Sequence, residues 1–199
     1  VFLKHFRKRY RDIQNGYIAE LKQLRQRTRQ AGQPVEKIER ELGLVELADG
    51  VVMARFVKIE SRRTRGGYYG SIAEFEVLDH MGTPLPREVY GPATASTHAN
   101  HPSKAFDGKE DSFWNTKWSD DRPPPPFPHW LTVDLQEDRA ISGFRIVPRR
   151  AEAKLYEAFV AWVFYVSRDG VSWRRAASGT FPRTVAPKKH RGLERDPPQ

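Results

Sequence analysis

The sequence contains no cysteine among its 199 residues. That absence excludes disulfides, thiolate metal sites and cysteine nucleophiles, but it leaves the compartment open, because a chain with an adequate core needs no covalent staples. Long apolar runs are missing too. Nothing approaches the roughly 18 consecutive apolar residues that span a bilayer as a helix, so no such helix is expected here. The basic start, with Lys4, Arg7, Lys8, Arg9 and Arg11, leads into no apolar segment, and no signal peptide is expected within residues 1–199. Nucleophile motifs, paired-carboxylate spacings and phosphate-binding loops do not stand out either, which argues against catalysis by this chain alone.

What is present is enough chain for one well-cored domain with an appendage: 38% of residues are hydrophobic, 12% aromatic and 30% charged. The net charge of +9 is unevenly spread. Residues 1–44 hold 11 basic and 5 acidic side chains, and residues 183–199 hold 5 and 2, whereas 45–182 hold 18 of each. The central body is therefore neutral, and the positive charge belongs to two terminal segments. These boundaries define the expected organisation: a basic helical extension over 1–44, a body over 45–182 and a basic, proline-rich tail over 183–199.

In the first segment Leu3, Phe6, Tyr10, Ile13, Tyr17, Leu21 and Leu24 recur every three or four residues, which predicts one amphipathic helix. Gly32-Gln33-Pro34 should end it, and Pro34 suits the first turn of a second helix over 35–42. The apolar stripe could dock on the chain's own body or on another protein subunit. Its basic face could contact phosphates of nucleic acid or an anionic membrane surface, although a solvated face is the commoner use of such residues.

From Val51 the period changes to two. Val51–Glu60 and Ser71–Asp79 read as strands, followed by Trp130–Leu135, Ala140–Val147, Val160–Ser167 and Trp173–Gly179, with Gly, Pro, Asp and Asn clusters between them. Residues 91–129 read as loop, with an extended Pro123–Pro126 stretch. The body is expected to be all-β, a sandwich or jelly roll.

Six pieces occur in order through this body: Ala95-Ser96; Ala105-Phe106-Asp107-Gly108 through Ser112-Phe113-Trp114; Trp130-Leu131-Thr132-Val133-Asp134-Leu135; Ile141 to Ile146 with Pro148-Arg149; Tyr165 to Trp173; and Gly179-Thr180-Phe181. The series resembles the discoidin family, also called the coagulation-factor type C domain, and related galactose-binding-like carbohydrate modules. The resemblance covers about 51–181 and implies a discoidin-like jelly-roll β-sandwich acting outside the cell, at its surface or in the periplasm. Family members usually close with two strands that here resemble Ala54–Ile59 and Ile72–Val77, at the front of the body. Either a circular permutation closes one sandwich, or these strands end one module and the rest begins another, both incomplete; permutation is the favoured expectation, and it requires Ile72–Val77 to pair within the sheet formed by residues 130–181.

The resemblance also implies site residues. A structural calcium ion in such modules would draw on the side chains of Asp107, Ser112 and Glu74 and on the carbonyls of Lys104, Lys109 and Ala73, since Ca²⁺ takes six to eight oxygens. The alternative is an unmetallated turn in which Asp107 caps backbone amides. Lys104 and Lys109 offset the charge such an ion would need. Ligands in the family meet loops at one end of the sandwich, which makes Tyr68, Tyr69, His98, Asn100, His101, Trp118, Asp120, Arg149 and Arg150 the candidates. Sugars present apolar C–H faces and many hydroxyls, so an aromatic platform beside planar polar groups suits them. Trp114, Trp130 and Trp173 match tryptophans that pack the family's core. His98 and His101 lack a further metal ligand in the pattern, and Asp120-Asp121 reads as solvated turn. A noncatalytic glycan-binding or adhesion module is the leading expectation. The alternative is an assembly subunit that uses the sandwich for protein contact, with nucleic acid the disfavoured partner.

Overall fold

The alternating run after Val51 becomes β1 (Val52–Thr64), whose Val57 and Ile59 point inward and are fully buried. On the opposite face Lys58 places its ammonium 4.6 Å from the ring centres of both Tyr165 and Trp173. The computed structural model describes residues 16, 19–35, 37–38, 50–118, 123–149, 156–182 and 186–194. They fall into two units, Val1–Ala48 and Asp49–Gln199.

In the first unit residues 19–30 are helical. The helix ends at a glycine cap. Gly32 has φ of +67°, its N–H donates to the Arg29 carbonyl, and the Gln33 N–H donates to the Thr28 carbonyl, which is the paired pattern of a left-handed terminator. Gly32 rather than Pro34 thus sets the stop, eight residues beyond Leu24. Of the apolar stripe Leu21 is buried and Leu24 exposed, while Leu3, Phe6, Tyr10, Ile13 and Tyr17 lie outside the described residues.

The second unit is a β-sandwich. After β1 come β2 (Ser71–Ile72), β3 (Glu74–Asp79), β4 (Ala93–Ala95), β5 (Trp114–Asn115), β6 (His129–Val147), β7 (Phe159–Ser167), β8 (Arg174–Thr180) and β9 (Lys188–Arg191). One layer runs β4, the first half of β6, β1, β7, β8, and the other sets the second half of β6 between β3 and β9. All the pairings are antiparallel. β6 serves both layers because it breaks in the middle: Phe56 faces Asp134 while Ala54 faces Arg139, so Arg55 alone stands opposite the intervening β6 residues. There Gln136 takes a positive φ of 68° and its N–H donates to the Asp134 carboxylate. What reads as two strands, 130–135 and 140–147, is thus one continuous strand with a bend.

The interior between the layers is aromatic. Phe144 from β6 stacks on Phe164 from β7 at 4.8 Å and meets the edge of Trp162 at 5.0 Å; Phe75 from β3 joins them at 5.8 Å from Phe144. Burying each such ring contributes about 1.5–3 kcal/mol. Across the pleat, Glu76 of β3 lies opposite Arg145 of β6 and accepts two hydrogen bonds from it, at 2.5 and 2.8 Å.

Four expectations change in detail. Ser71–Asp79 is two strands: Ser71–Ile72 pair with Trp114–Asn115, whereas Phe75–Val77 pair with Ile146–Phe144. Between them the Ala73 N–H bonds the Val147 carbonyl, which turns the chain from one sheet to the other. Residues 91–129 contain β4, β5 and a 3₁₀ turn, Pro102–Ala105, too short to give a periodic signal. Trp114 is fully buried, but Trp130 and Trp173 are only half-buried, and Trp162 is the second tryptophan of the core. Finally, 183–199 is not simply a tail. β9 pairs with Gly143–Ile146, and Leu193 joins the core. Lys188 is buried along its stem while its ammonium reaches the Ala186 carbonyl at 2.7 Å. Gly143 permits this approach, since a Cβ there would stand 2.0 Å from the His190 carbonyl oxygen.

Candidate functional site

Four loop segments are tied to one another at one end of the sandwich. The Thr116 N–H donates to the Gly70 carbonyl at 2.8 Å, and the Gly70 N–H returns a bond to the Thr116 hydroxyl. The Ala99 N–H bonds the Asn115 carbonyl, the Asn100 N–H bonds the Asn115 side chain, and the Lys117 N–H bonds the Thr97 hydroxyl. The Arg65 and Gly66 N–H groups bond the Ala158 and Tyr156 carbonyls. Residues 65–70, 97–100, 115–118 and 156–158 are therefore held as a set, and each bond satisfies a main-chain group that a free loop would leave to water.

Three large rings stand out from this set: Tyr68 is 60% exposed, Trp118 59% and Tyr156 63%. Beneath Tyr68 lies His129, fully buried, whose Nε2–H donates to the Tyr68 carbonyl at 2.6 Å. Its Nδ1 has no hydrogen-bond partner among the described residues, so burial pushes the imidazole below its ordinary value despite the Tyr68 bond. The Phe127 ring covers it at 4.2 Å.

The other candidates are distributed unevenly. Arg149 is committed: its guanidinium lies 3.7 Å over the Phe113 ring and 3.6 Å from the Glu157 carboxylate. His98 and His101 meet edge to face at 5.8 Å, and His101 Nδ1 accepts the Ser103 N–H as cap of the 3₁₀ turn. That bond fixes the ring as the Nε2–H tautomer when neutral. Among the described residues no cluster of three or more metal-ligating side chains occurs. Tyr69 is half-buried beside Tyr68. Asp120 and Arg150 lie outside the described residues. No local pattern in the sequence marks Tyr156 as an exposed ring, Phe113 as the partner of a distant arginine or His129 as the buried support of a loop.

The Asp107 turn brings together the residues proposed to hold an ion. Asp107 Oδ2 accepts the Ser112 hydroxyl at 2.7 Å and Oδ1 accepts the Lys109 N–H at 3.0 Å. Burial works against the Asp107 charge, but these hydrogen bonds prevail and hold its carboxyl below the usual range. Glu74 from β3 is buried, and burial pushes its carboxyl up against the pull of Arg87. Arg87 Nη1 donates to Glu74 Oε2 at 3.2 Å and to the Phe106 carbonyl at 3.1 Å. The Lys104 ammonium stands 3.8 Å from Asp107.

These residues do not fit a resident calcium ion. Two carboxylates already face two cations and the Lys109 carbonyl accepts the Ser112 N–H, so that among the described residues Glu74 Oε1 is the one buried side-chain oxygen of the set left without a partner. A Ca²⁺ ion would need six to eight oxygens turned toward it. The Lys104 carbonyl accepts the Ser112 hydroxyl at 3.3 Å, and the Ala73 carbonyl cannot make up that number alone.

Comparison with known proteins agrees with this sandwich. A sialidase of Micromonospora viridifaciens is 33% identical over 88 residues, covering 44% of this chain and 13% of the relative. A galactose oxidase of Gibberella zeae is 31% identical over 107 residues, covering 51% of this chain and 15% of the relative. The chain thus matches about a seventh of the length of these relatives. The F5/8 type C domain matches residues 92–196, from the edge of β4 through β9; it takes in three of the four loop segments and the Asp107 turn, while residues 65–70 and Glu74 precede it. With that match across more than half its length, the chain belongs to the F5/8 type C domain family.

Proposed function

We propose that this chain is a noncatalytic carbohydrate-binding module whose ligand lies against Tyr68, Trp118 and Tyr156. The observation that carries the reading is the set of three exposed rings on loops that are hydrogen-bonded to each other. Exposed aromatic rings on a mobile loop would lose entropy on binding, whereas rings on a pre-set loop lose little. Ring faces suit the C–H faces of a pyranose, and the neutral charge balance of the body suits an uncharged sugar. The relatives named sialidase and galactose oxidase are consistent with a module that keeps a larger protein near glycans, and an extracellular or surface setting goes with this role. The test is a glycan array followed by titration. Trp118→Ala and Tyr68→Ala should each weaken binding at least about tenfold with unchanged melting temperature, and high salt should change affinity little. No binding to any glycan, or loss of binding in salt alone, would overturn it.

We also infer that the sandwich is circularly permuted relative to its family. β1 and β3 precede the matched residues, yet β1 lies between β6 and β7, and β3 lies against β6. The Leu193 N–H donates to the Gly50 carbonyl at 2.9 Å, so the two limits of the body adjoin. A variant in which residues 50–86 are moved, through a short linker, to follow Glu194 should fold with a similar melting temperature; failure to fold would sink the inference.

A further inference from the structure

Arg87 belongs to no motif and lies before the family match, yet the chain path delivers it to the most deeply buried carboxylate of the turn. After β3 the Asp79 carboxylate accepts the Met81 and Thr83 N–H groups and reverses the chain. The returning strand keeps step with β3, with the Asp79 N–H bonding the Thr83 carbonyl and the Leu85 N–H bonding the Val77 carbonyl. The same step carried two residues further sets Arg87 beside Phe75 and Glu74. Tyr90 then locks the segment, because its hydroxyl accepts the Val77 N–H at 2.8 Å and its ring lies 5.2 Å from Phe106.

The guanidinium does more than approach Glu74. It bridges Glu74 Oε2 and the Phe106 carbonyl, two oxygens that come from opposite walls of the turn. It also lies against Gly108, where a Cβ would stand 2.2 Å from its central carbon. The absence of a side chain at Gly108 is what leaves room for it. A planar cation with several donors can satisfy a carboxylate and a carbonyl at once, which is what a bound ion would otherwise do.

We propose that Arg87 is the resident cation of the Glu74–Asp107 turn, so that in this chain the position is closed to calcium and the fold needs no divalent ion. The inference is independent of what the loop set binds. It is tested on the full chain by melting in EDTA and in excess calcium chloride, with terbium luminescence as a direct probe of ion binding. The wild type should shift by less than about 1 °C between the two conditions and show no sensitised terbium emission that Asp107→Asn abolishes. Arg87→Gln should melt lower by about 5 °C in EDTA, and Arg87→Lys, which keeps the charge, should recover much of the loss. Stabilisation of the wild type by calcium, with terbium emission lost in Asp107→Asn, would overturn the proposal. So would Arg87→Gln melting like the wild type, or Arg87→Lys recovering none of the loss. If Arg87→Gln fails to fold, the calcium and terbium measurements on the wild type still decide.

Discussion

The Asp107 turn and the loop set around Thr116 use the same material, short hydrogen bonds between chain segments far apart in sequence, but they treat their side chains differently. At the turn the bonds join charged groups: Glu74 to Arg87, Asp107 to Ser112 and Lys104. Glu74 and Asp107 each have a cation beside them, and the polar side chains of the turn are engaged with one another. In the loop set the bonds join mainly backbone and hydroxyl groups, which leaves Tyr68, Trp118 and Tyr156 with nothing to do internally. A region that spends its polar side chains on itself is a structural element, and one that spends only its backbone keeps its side chains for a partner.

The sharpest way to break this contrast is to unbalance the turn. Arg87→Ala leaves a buried carboxylate without its cation, and unfolding by denaturant at neutral pH should register a loss of about 2 kcal/mol, limited because Glu74 can protonate instead. Gly108→Ala comes next. Its positive φ of +82° disfavours any side chain, and the new methyl would push the Arg87 guanidinium off Glu74; a loss of about 1–2 kcal/mol is expected in the same measurement.

Acid separates the regions by sign. His129 has a folded value below its ordinary 6.5, so its contribution is complete above that pH and is lost as pH falls toward the folded value. Glu74 has a folded value above its ordinary 4.5, so stability attributable to it rises as pH falls through the raised value toward 4.5. Melting curves across this range should therefore show a fall below pH 6.5 that His129→Gln reduces, while Glu74→Gln removes the opposing rise. The smallest effect on stability belongs to the exposed rings. Trp118→Ala and Tyr156→Ala should change unfolding free energy by less than about 0.5 kcal/mol, and a larger loss would mean that these rings pack internally after all.

Much of the sandwich was legible because its strands advertise themselves locally. Phe56-Val57-Lys58-Ile59 and Phe75-Glu76-Val77 alternate as half-buried strands do, and both pair within the expected sheet. β9 was not legible for the converse reason. Lys188-Lys189-His190-Arg191 has the composition of a solvated tail, and it becomes a strand only because Gly143 lets a backbone approach and the aliphatic stem of Lys188 finds cover. The candidate site divides in the same manner. Tyr68 and Trp118 read as loop aromatics and are exposed, whereas Arg149 reads as a ligand contact and is held by Phe113 and Glu157.

By itself the sequence determined the neutral body between basic ends, the strands of strong period and the ordered pieces of the F5/8 type C domain, since each depends on residues close together in the chain. Only the tertiary structure decided which charges meet. Arg87 reaches Glu74 across 13 residues and Phe106 across 19, and Lys188 lies beside Ile146, through pairings that carry no local signal. Ion pairing in this turn is a property of how the strands return on one another, and the side chains that face outward are those the folded chain had no internal use for.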